Sequence, residues 1–252
     1  MSAKQLAILI SRAQNAIFFT GAGVPTGSGI PDFRGPKGLW QRMRPVYFDE
    51  FMNSHEARVR HWQYKLDGWQ EFRDAQPNRA HKALFEVDRI GRLDALVTQN
   101  IDGLHQLAGH AEDKVIELHG TNRKVECVAC QTISEPDLLF DQFAESGEPP
   151  VCPCGGFLKS ATISFGQAMP QDKLRAAFRV ASNADLVVSV GSTLEVEPAA
   201  SVPRSAQDNG AIYVVINQGS TAHDRLADLR IEDDVNVLLP TTVDELRALM
   251  KV

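Results

Sequence analysis

The sequence is short of basic clusters, of long apolar runs and of cysteine. Its 26 lysines and arginines face 32 acidic residues, a formal net charge of −6, and the basic ones are scattered. A nucleic-acid-binding domain gathers such residues into a patch or stripe, so direct contact with nucleic acid is not expected. No apolar segment nears the roughly 20 residues of a membrane-spanning helix, so no membrane partner is expected either. Residues 1–15 show no secretory leader pattern. Leu6, Leu9, Ile10 and Ala13 repeat instead at the spacing of a helix packed by one face, and the expected location is the cytoplasm. Internal repeats and low-complexity tracts are missing. All four cysteines fall between 127 and 154, and without a secretory signal disulfides are not expected among them.

What the chain does have is a rhythm of short apolar runs. Hydrophobic residues make up 43% of its 252 residues, enough for one large domain or for one with a smaller inserted lobe. The runs Ala16–Thr20, Ala95–Thr98, 115–118, Leu186–Val190, Ile212–Ile216 and 235–239 are rich in Val and Ile and read as buried parallel strands. Helical patterns lie between many of them. Asn78 can cap a helix carrying Ala83, Leu84, Val87 and Ile90 on one face, and Leu174, Ala177, Phe178 and Ala181 mark another. Thr242 and Glu245 have capping-box spacing ahead of Leu246, Leu249 and Met250. This alternation predicts an α/β fold with a Rossmann-like, doubly wound parallel sheet. Two stretches break it: 36–77, rich in aromatic and charged residues, and 121–160, which holds the cysteines. The expected organisation is a nucleotide-binding domain from 1–35, 78–120 and 161–252, with a helical insertion and a cysteine-bearing insertion that pack together as a small lobe.

Four motifs carry chemistry. The glycine-rich segment 21–35 follows the first strand directly, where backbone N–H groups can approach a pyrophosphate. Taken alone it is equally a tight turn, and its continuing Gly and Pro residues rule out a helix running on from Gly23. The polar block Thr98-Gln-Asn-Ile-Asp-Gly-Leu-His105 follows another strand, at the end where α/β folds place ligand contacts; a local polar turn explains it as well. His119 ends the run 115–118 and is followed by Gly120. Such a histidine is often structural, yet its ordinary pKa of ~6.5 suits a general base. Cys127, Cys130, Cys152 and Cys154 form two close pairs, the arrangement of a four-thiolate zinc site with no position left for water; free thiols are the competing reading.

Taken in order, these blocks resemble the sirtuin family over nearly the whole chain. They are GAGVPTGSGIPDFRG at 21–35, TQNIDGLH at 98–105, HG at 119–120, the cysteine module, ISFG at 163–166, GSTLEVEPA at 191–199 and the strand ending at Asn217. The resemblance implies an enzyme that uses NAD as co-substrate to remove acyl groups from protein lysines. In that chemistry the acyl oxygen attacks the ribose carbon as nicotinamide leaves. A histidine then helps deprotonate a ribose hydroxyl that attacks the resulting imidate, and water completes release of O-acyl-ADP-ribose. Carried onto this sequence, the catalytic residues are His119, Asn100 and Asp102. NAD is expected against Gly21, Ala22, Gly23, Asp32, Phe33, Arg34, Gln99, Asn100, Ile101, Asp102, His119, Gly191, Ser192, Thr193, Asn217 and Val235. An acyl-lysine peptide is expected to add as a strand between 163–166 and 194–198, touching Ile163, Phe165, Gly166, Glu195 and Val196, although ordinary core packing also accounts for Ile163 and Val196. The four cysteines are expected to hold a structural zinc ion. The chain departs from the family at Pro25, Gln167 and Asp233, and in the shortened second cysteine pair.

Segment 60–81 resembles the class II branch. The desuccinylase branch has Tyr and Arg three apart in this helix to read an acidic acyl group; counting back from Pro77-Asn78, those places hold Gln63 and Leu66. The expectation is a preference for uncharged acyl groups. Other readings stay open: a dehydrogenase using Asp49 or Glu50, NAD hydrolysis or ADP-ribosyl transfer on the same fold, and a non-catalytic zinc-stabilised module.

Overall fold

The computed structural model describes residues 2–32, 38 and 43–251. In chain order the strands are β1 (Ala16–Thr20), β2 (Ala95–Thr98), β3 (Val115–Glu117), β4 (Gly120–Cys127), β5 (Ile133–Ser134), β6 (Leu158–Thr162), β7 (Leu186–Val190), β8 (Ile212–Ile216) and β9 (Leu229–Ile231). The helices are α1 (Ser2–Arg12), α2 (Phe48–Asn53), α3 (His55–Asp67), α4 (Trp69–Asp74), α5 (Arg79–Arg89), α6 (Leu104–Ala108), α7 (Asp137–Ser146), α8 (Gln171–Asn183), α9 (Ser201–Asp208) and α10 (Val235–Met250). None of these is long and apolar enough to cross a membrane.

Six strands form a wholly parallel sheet in the order β3-β2-β1-β7-β8-β9. The winding reverses between β1 and β7, and a crevice opens at the carboxyl ends of such a pair. Every residue of β1 and β7 is buried, because helices cover both faces. Phe18, Leu96, Val188 and Val214 pack under α1, α5 and α10. Their neighbours Ile17, Phe19, Val97, Val187 and Val215 point the other way, under α8 and α9. A second, antiparallel sheet, β5-β4-β6, has its own apolar cluster with α3, α4 and α7, built on Trp62, Trp69, Phe140, Phe143 and Leu158. The indole of Trp62 donates to the Leu158 carbonyl at 3.0 Å and so ties α3 to β6.

The helices expected from Asn78 and from Leu174 are α5 and α8. The cap is as expected: Asn78 Oδ1 accepts from the backbone N–H of Ala80 and His81. One strand is corrected. Residues 235–239 begin α10, and the sixth strand is the shorter β9. Val235, Leu238, Leu239, Thr242, Val243 and Leu246 are all buried, a 3-1-3-1-3 spacing that belongs to one helix face. Asp234 caps this helix by accepting from Asn236 N. Thr242 is therefore internal rather than a cap, and its hydroxyl donates to Leu238 O at 2.8 Å.

Candidate active site

A cavity of about 1100 Å³ fills the crevice beyond β1 and β7. The residues expected to touch NAD that line it are Ala22, Gly23, Asp32, Gln99, Asn100, Ile101, His119, Gly191, Ser192, Thr193, Asn217 and Val235. Ile163, Phe165, Gly166 and Val196 line it as well. Gly21, Asp102 and Glu195 do not border it, and Phe33 and Arg34 lie outside the described residues.

The glycine loop differs from the expectation of free N–H groups facing a pyrophosphate. Gly21 N–H donates to Val190 O and Gly23 N–H to Gly191 O. A Cβ on Gly23 would lie 2.9 Å from Gly191 Cα. Glycine is needed here because two loops cross at the switch point. After them the chain makes a 3₁₀ turn, Pro25–Ser28, in place of a long helix. At the other end of the cavity Asn217, just past β8, holds the Gly219 carbonyl through Nδ2. Val235 joins the wall as the first residue of α10.

His119 stands in the turn between β3 and β4. Its Nδ1 is 3.0 Å from the Gln99 carbonyl oxygen, which can only accept, so Nδ1 carries the hydrogen. The proton-accepting atom of the neutral ring is then Nε2. Gly120 makes this turn possible: its φ is +70°, and a Cβ there would meet Ala161 O at 2.1 Å. The His119 carbonyl accepts Ile163 N–H at 2.9 Å, which joins the base to segment 163–166.

Gln99 Nε2 donates to Ser192 Oγ, and Asn100 Nδ2 to Gly21 O, so the polar block braces the loops after β7 and β1. Asp102 is buried beneath it. It accepts Leu104 N–H at 2.8 Å, one residue ahead of the Gly103 cap of α6, and so holds the start of that helix. Burial pushes its carboxyl up to about 6, against the Leu104 N–H and the nearby Arg123 charge. Segments 163–166 and 194–198 are loops rather than strands. Gln167 Oε1 accepts Ser164 N–H, which gives a role to one of the departures from the family pattern.

The four cysteine sulfurs lie within 4.8 Å of one another, with Cys127–Cys154 at 3.6 Å and Cys130–Cys152 at 3.7 Å. Sulfurs ~2.3 Å from a tetrahedral zinc would be ~3.8 Å apart, so the set fits the ion. The Cys-Pro-Cys pair reaches this geometry through a turn in which Gly155 N–H donates to Cys152 O. Gly156 N–H points at Cys154 Sγ.

A family model described as Sir2 family matches residues 21–198. The chain belongs to the Sir2 family. A Rhodopseudomonas palustris protein named NAD-dependent protein deacetylase is 43% identical over 237 residues, 94% of either chain. One of the same name from Thermodesulfovibrio yellowstonii is 40% identical over 95% of this chain and 93% of that one. Among solved structures, a chain from work on the mechanism and regulation of Sir2 enzymes superposes with a TM-score of 0.87 at 35% identity, covering 98% of both. The chain of a Sir2–p53 peptide–NAD+ complex gives 0.85 at 34% identity, covering 100% of this chain and 98% of that one.

Within this Sir2 framework the register of α3 differs from the count made on the sequence. His61, Tyr64 and Lys65 line the cavity. Gln63 is exposed and donates to Asp67 on the same helix, and Leu66 packs with Trp62 and Trp69 in the small-lobe core. The signal was present: Trp62, Leu66 and Trp69 form an i, i+4, i+7 stripe, and that stripe fixes which neighbours face elsewhere.

Proposed function

We propose that this chain is an NAD-dependent protein-lysine deacylase with His119 as its general base. The observation that carries the reading is the geometry at His119. Its Nδ1–H is held by the Gln99 carbonyl, and its ring borders a cavity shared by the 191–193 loop and segment 163–166. The overall reaction converts acyl-lysine protein, NAD and water into lysine, nicotinamide and O-acyl-ADP-ribose. The acyl group leaves the lysine nitrogen for a ribose hydroxyl, and Nε2 of His119 takes the proton that this hydroxyl loses. Asn100 orients the reacting end from a position fixed by its bond to Gly21 O, and Asp102 acts from below by holding α6. Ser192, Thr193, Asn217 and Val235 receive the adenosine half. Ile163, Phe165, Gly166 and Val196 receive the acyl-lysine, and Glu195, outside the cavity lining, precedes Val196 in the same loop. Cys127, Cys130, Cys152 and Cys154 would hold zinc in a structural role, since all four ligand positions are filled by protein.

We read 1–35, 78–120 and 161–252 as the NAD-binding lobe, and 36–77 with 121–160 as the small lobe. The substrates of this reading are acyl-lysine proteins of the cytoplasm. The names of the Rhodopseudomonas and Thermodesulfovibrio relatives and the peptide-bound Sir2 complex support it. The test is to incubate the chain with NAD and an acetyl-lysine peptide and to quantify products by mass spectrometry. Nicotinamide, free peptide and O-acetyl-ADP-ribose should appear in equal amounts. Nicotinamide without deacylated peptide would mean NAD hydrolysis instead.

A further inference from the structure

We propose that Arg123 of β4 is a positioning residue for the deacylation reaction: it fixes the Asp102 end of the 99–102 block by tying it to the end of α4. This rests on the deacylase reading. It adds to that reading a residue that lines neither the cavity nor the cysteine cluster.

The 99–102 block is held from two sides. Its first half is fixed to the parallel sheet. Gln99 N–H donates to Thr20 O at 3.0 Å, Asn100 N–H to Thr98 Oγ1 at 3.0 Å, and Asn100 Nδ2 to Gly21 O at 3.0 Å. Its second half is fixed by β4, which belongs to the antiparallel sheet. Asn122 N–H donates to Ile101 O at 2.8 Å, and the Nε–H of Arg123 donates to Asp102 O. The same guanidinium reaches the helical insertion. Nη1 donates to Arg73 O at 3.3 Å and Nη2 to Phe72 O at 3.5 Å, and the Phe72 ring centre lies 5.7 Å from the guanidinium carbon. Residues 72 and 73 are in the last turn of α4, where carbonyls lack partners within the helix and a cation is favourable. Trp69 anchors α4 in turn: it packs in the apolar cluster with Phe140 and Phe143, and its indole donates to Asp137 Oδ1 at 2.9 Å.

The residue after Asp102 explains why the clamp comes from outside. Gly103 caps the start of α6 in the left-handed conformation, with φ at +67°. Glycine reaches that conformation and many others at similar cost, so it fixes nothing by itself. The Arg123 side chain supplies the wall: a Cβ on Gly103 would lie 2.8 Å from Arg123 Cδ. Arg123 thus sets the Asp102 carbonyl and covers the glycine that follows it. Without the clamp the turn from Ile101 to Leu104 is free to shift. Asn100 and Ile101, which line the cavity, would shift with it. A planar fork suits the task, because its donors meet acceptors from two elements at fixed angles.

The test measures kcat on an acetyl-lysine peptide at saturating NAD, together with the affinity and stoichiometry of ADP-ribose binding by calorimetry. The proteins are wild type, Arg123→Met, Arg123→Lys and Arg58→Met. Turnover is divided by the fraction of protein that binds ADP-ribose, so a poorly folded variant is not mistaken for a slow one. Arg123→Met keeps much of the bulk and removes the donors. Its corrected kcat should fall at least tenfold, toward the roughly hundredfold that a ~1 Å misplacement can cost. Its affinity for ADP-ribose should stay at the wild-type level, because the residues that receive adenosine follow β7 and β8. Arg123→Lys keeps donors without the fork and should recover part of the loss. Arg58 is the control: its guanidinium also donates to two carbonyls, Phe51 O and Met52 O, but inside the helical insertion and away from the block. Arg58→Met should leave the corrected kcat unchanged. An Arg123→Met kcat equal to wild type, or a loss matched by Arg58→Met, would overturn the proposal and leave the deacylase reading standing. So would equal losses in the Met and Lys variants, which would assign the effect to shape rather than to the donors. If the wild type turns over no acyl peptide, the deacylase reading falls and this inference with it.

Discussion

A histidine serves as a base only when one ring nitrogen is committed elsewhere and the other faces the reactants. His119 meets the first condition through the Gln99 carbonyl and the second through its place on the cavity wall. His81, His105, His110 and His223 are buried away from the cavity and hold neighbouring elements together. Substituting His119→Tyr should therefore remove chemistry without removing structure. Deacylation should fall at least a hundredfold, in line with the roughly 10²–10⁴ that general-base catalysis contributes. The melting temperature should change little, because the backbone bond from Ile163 N to His119 O does not need the imidazole. Parallel assays of O-acyl-ADP-ribose formation and thermal melting check this; a folded variant with wild-type turnover would exclude His119 as the base.

At the scale of elements, two short features decide how much of the chain can be ordered. The first is the cysteine knuckle. Cys127 and Cys152 belong to the same apolar cluster as Trp62, Trp69, Phe140 and Phe143, so metal and core support each other in the small lobe. Elemental analysis should find one zinc per chain. Stripping it with a chelator should shift the emission of Trp62 and Trp69 to the red before the parallel sheet melts, since that sheet has its own core. Simultaneous loss of both lobes would contradict this order. The second feature is the start of α10. Asp234→Ala removes an N-cap worth about 0.5–2 kcal/mol, and denaturant unfolding should show a loss in that range. This helix also marks where the sequence was least legible. The apolar run at 235–239 has the composition of a buried strand, and only its continuation through Thr242, Val243 and Leu246 reveals a period near 3.6. β9 was missed for the opposite reason, because three residues with Arg230 in the middle make no apolar run. The other five parallel strands were legible because burial on both faces demands short, nearly continuous apolar runs, such as Ala-Ile-Phe-Phe in β1 and Leu-Val-Val in β7. That His119 would stand at the cavity and that the four cysteines would converge was legible because strand-end position and cysteine spacing are written in the sequence. Lys65 was not, since a helix register one residue off turns a side chain by about 100°, and the count fell on exposed Gln63 and core-packed Leu66 instead.

For the whole molecule, stability depends on groups that fold into one protonation state and unfold into another. His81 and His105 have ring centres 4.9 Å apart, with His110 at 6.0 Å from His105, in the seam between α5, α6 and the ends of β1 and β2. Asn78 Oδ1 accepts from His81 Nδ1, and His105 Nε2 meets Thr20 Oγ1. Burial first, and then the mutual repulsion of the rings, draws His81 down to about 4 and His105 well below its ordinary value. In the unfolded chain each would titrate near ~6.5. Below that pH the unfolded state binds protons that the folded state refuses. The stability carried by the neutral rings is complete above about pH 6.5 and is lost as the pH falls toward 4. Asp102 works in the opposite sense. Its folded value of about 6 lies above the ordinary carboxyl range, so folding takes up a proton there as the pH drops below 6. Two histidines outweigh one carboxylate, and unfolding free energy should fall between pH 7 and pH 5. The share of His81 can be isolated with His81→Gln, which keeps an amide within reach of Asn78 and cannot titrate. In zinc-containing buffer, urea unfolding between pH 6.5 and pH 5 should show a slope flatter by about 1 kcal/mol per pH unit in the variant, since the unfolded imidazole binds on average roughly 0.8 proton across this range while the folded one, at about 4, binds almost none. Equal slopes would mean that His81 is protonated in the folded state, and that the pH dependence of this fold arises elsewhere.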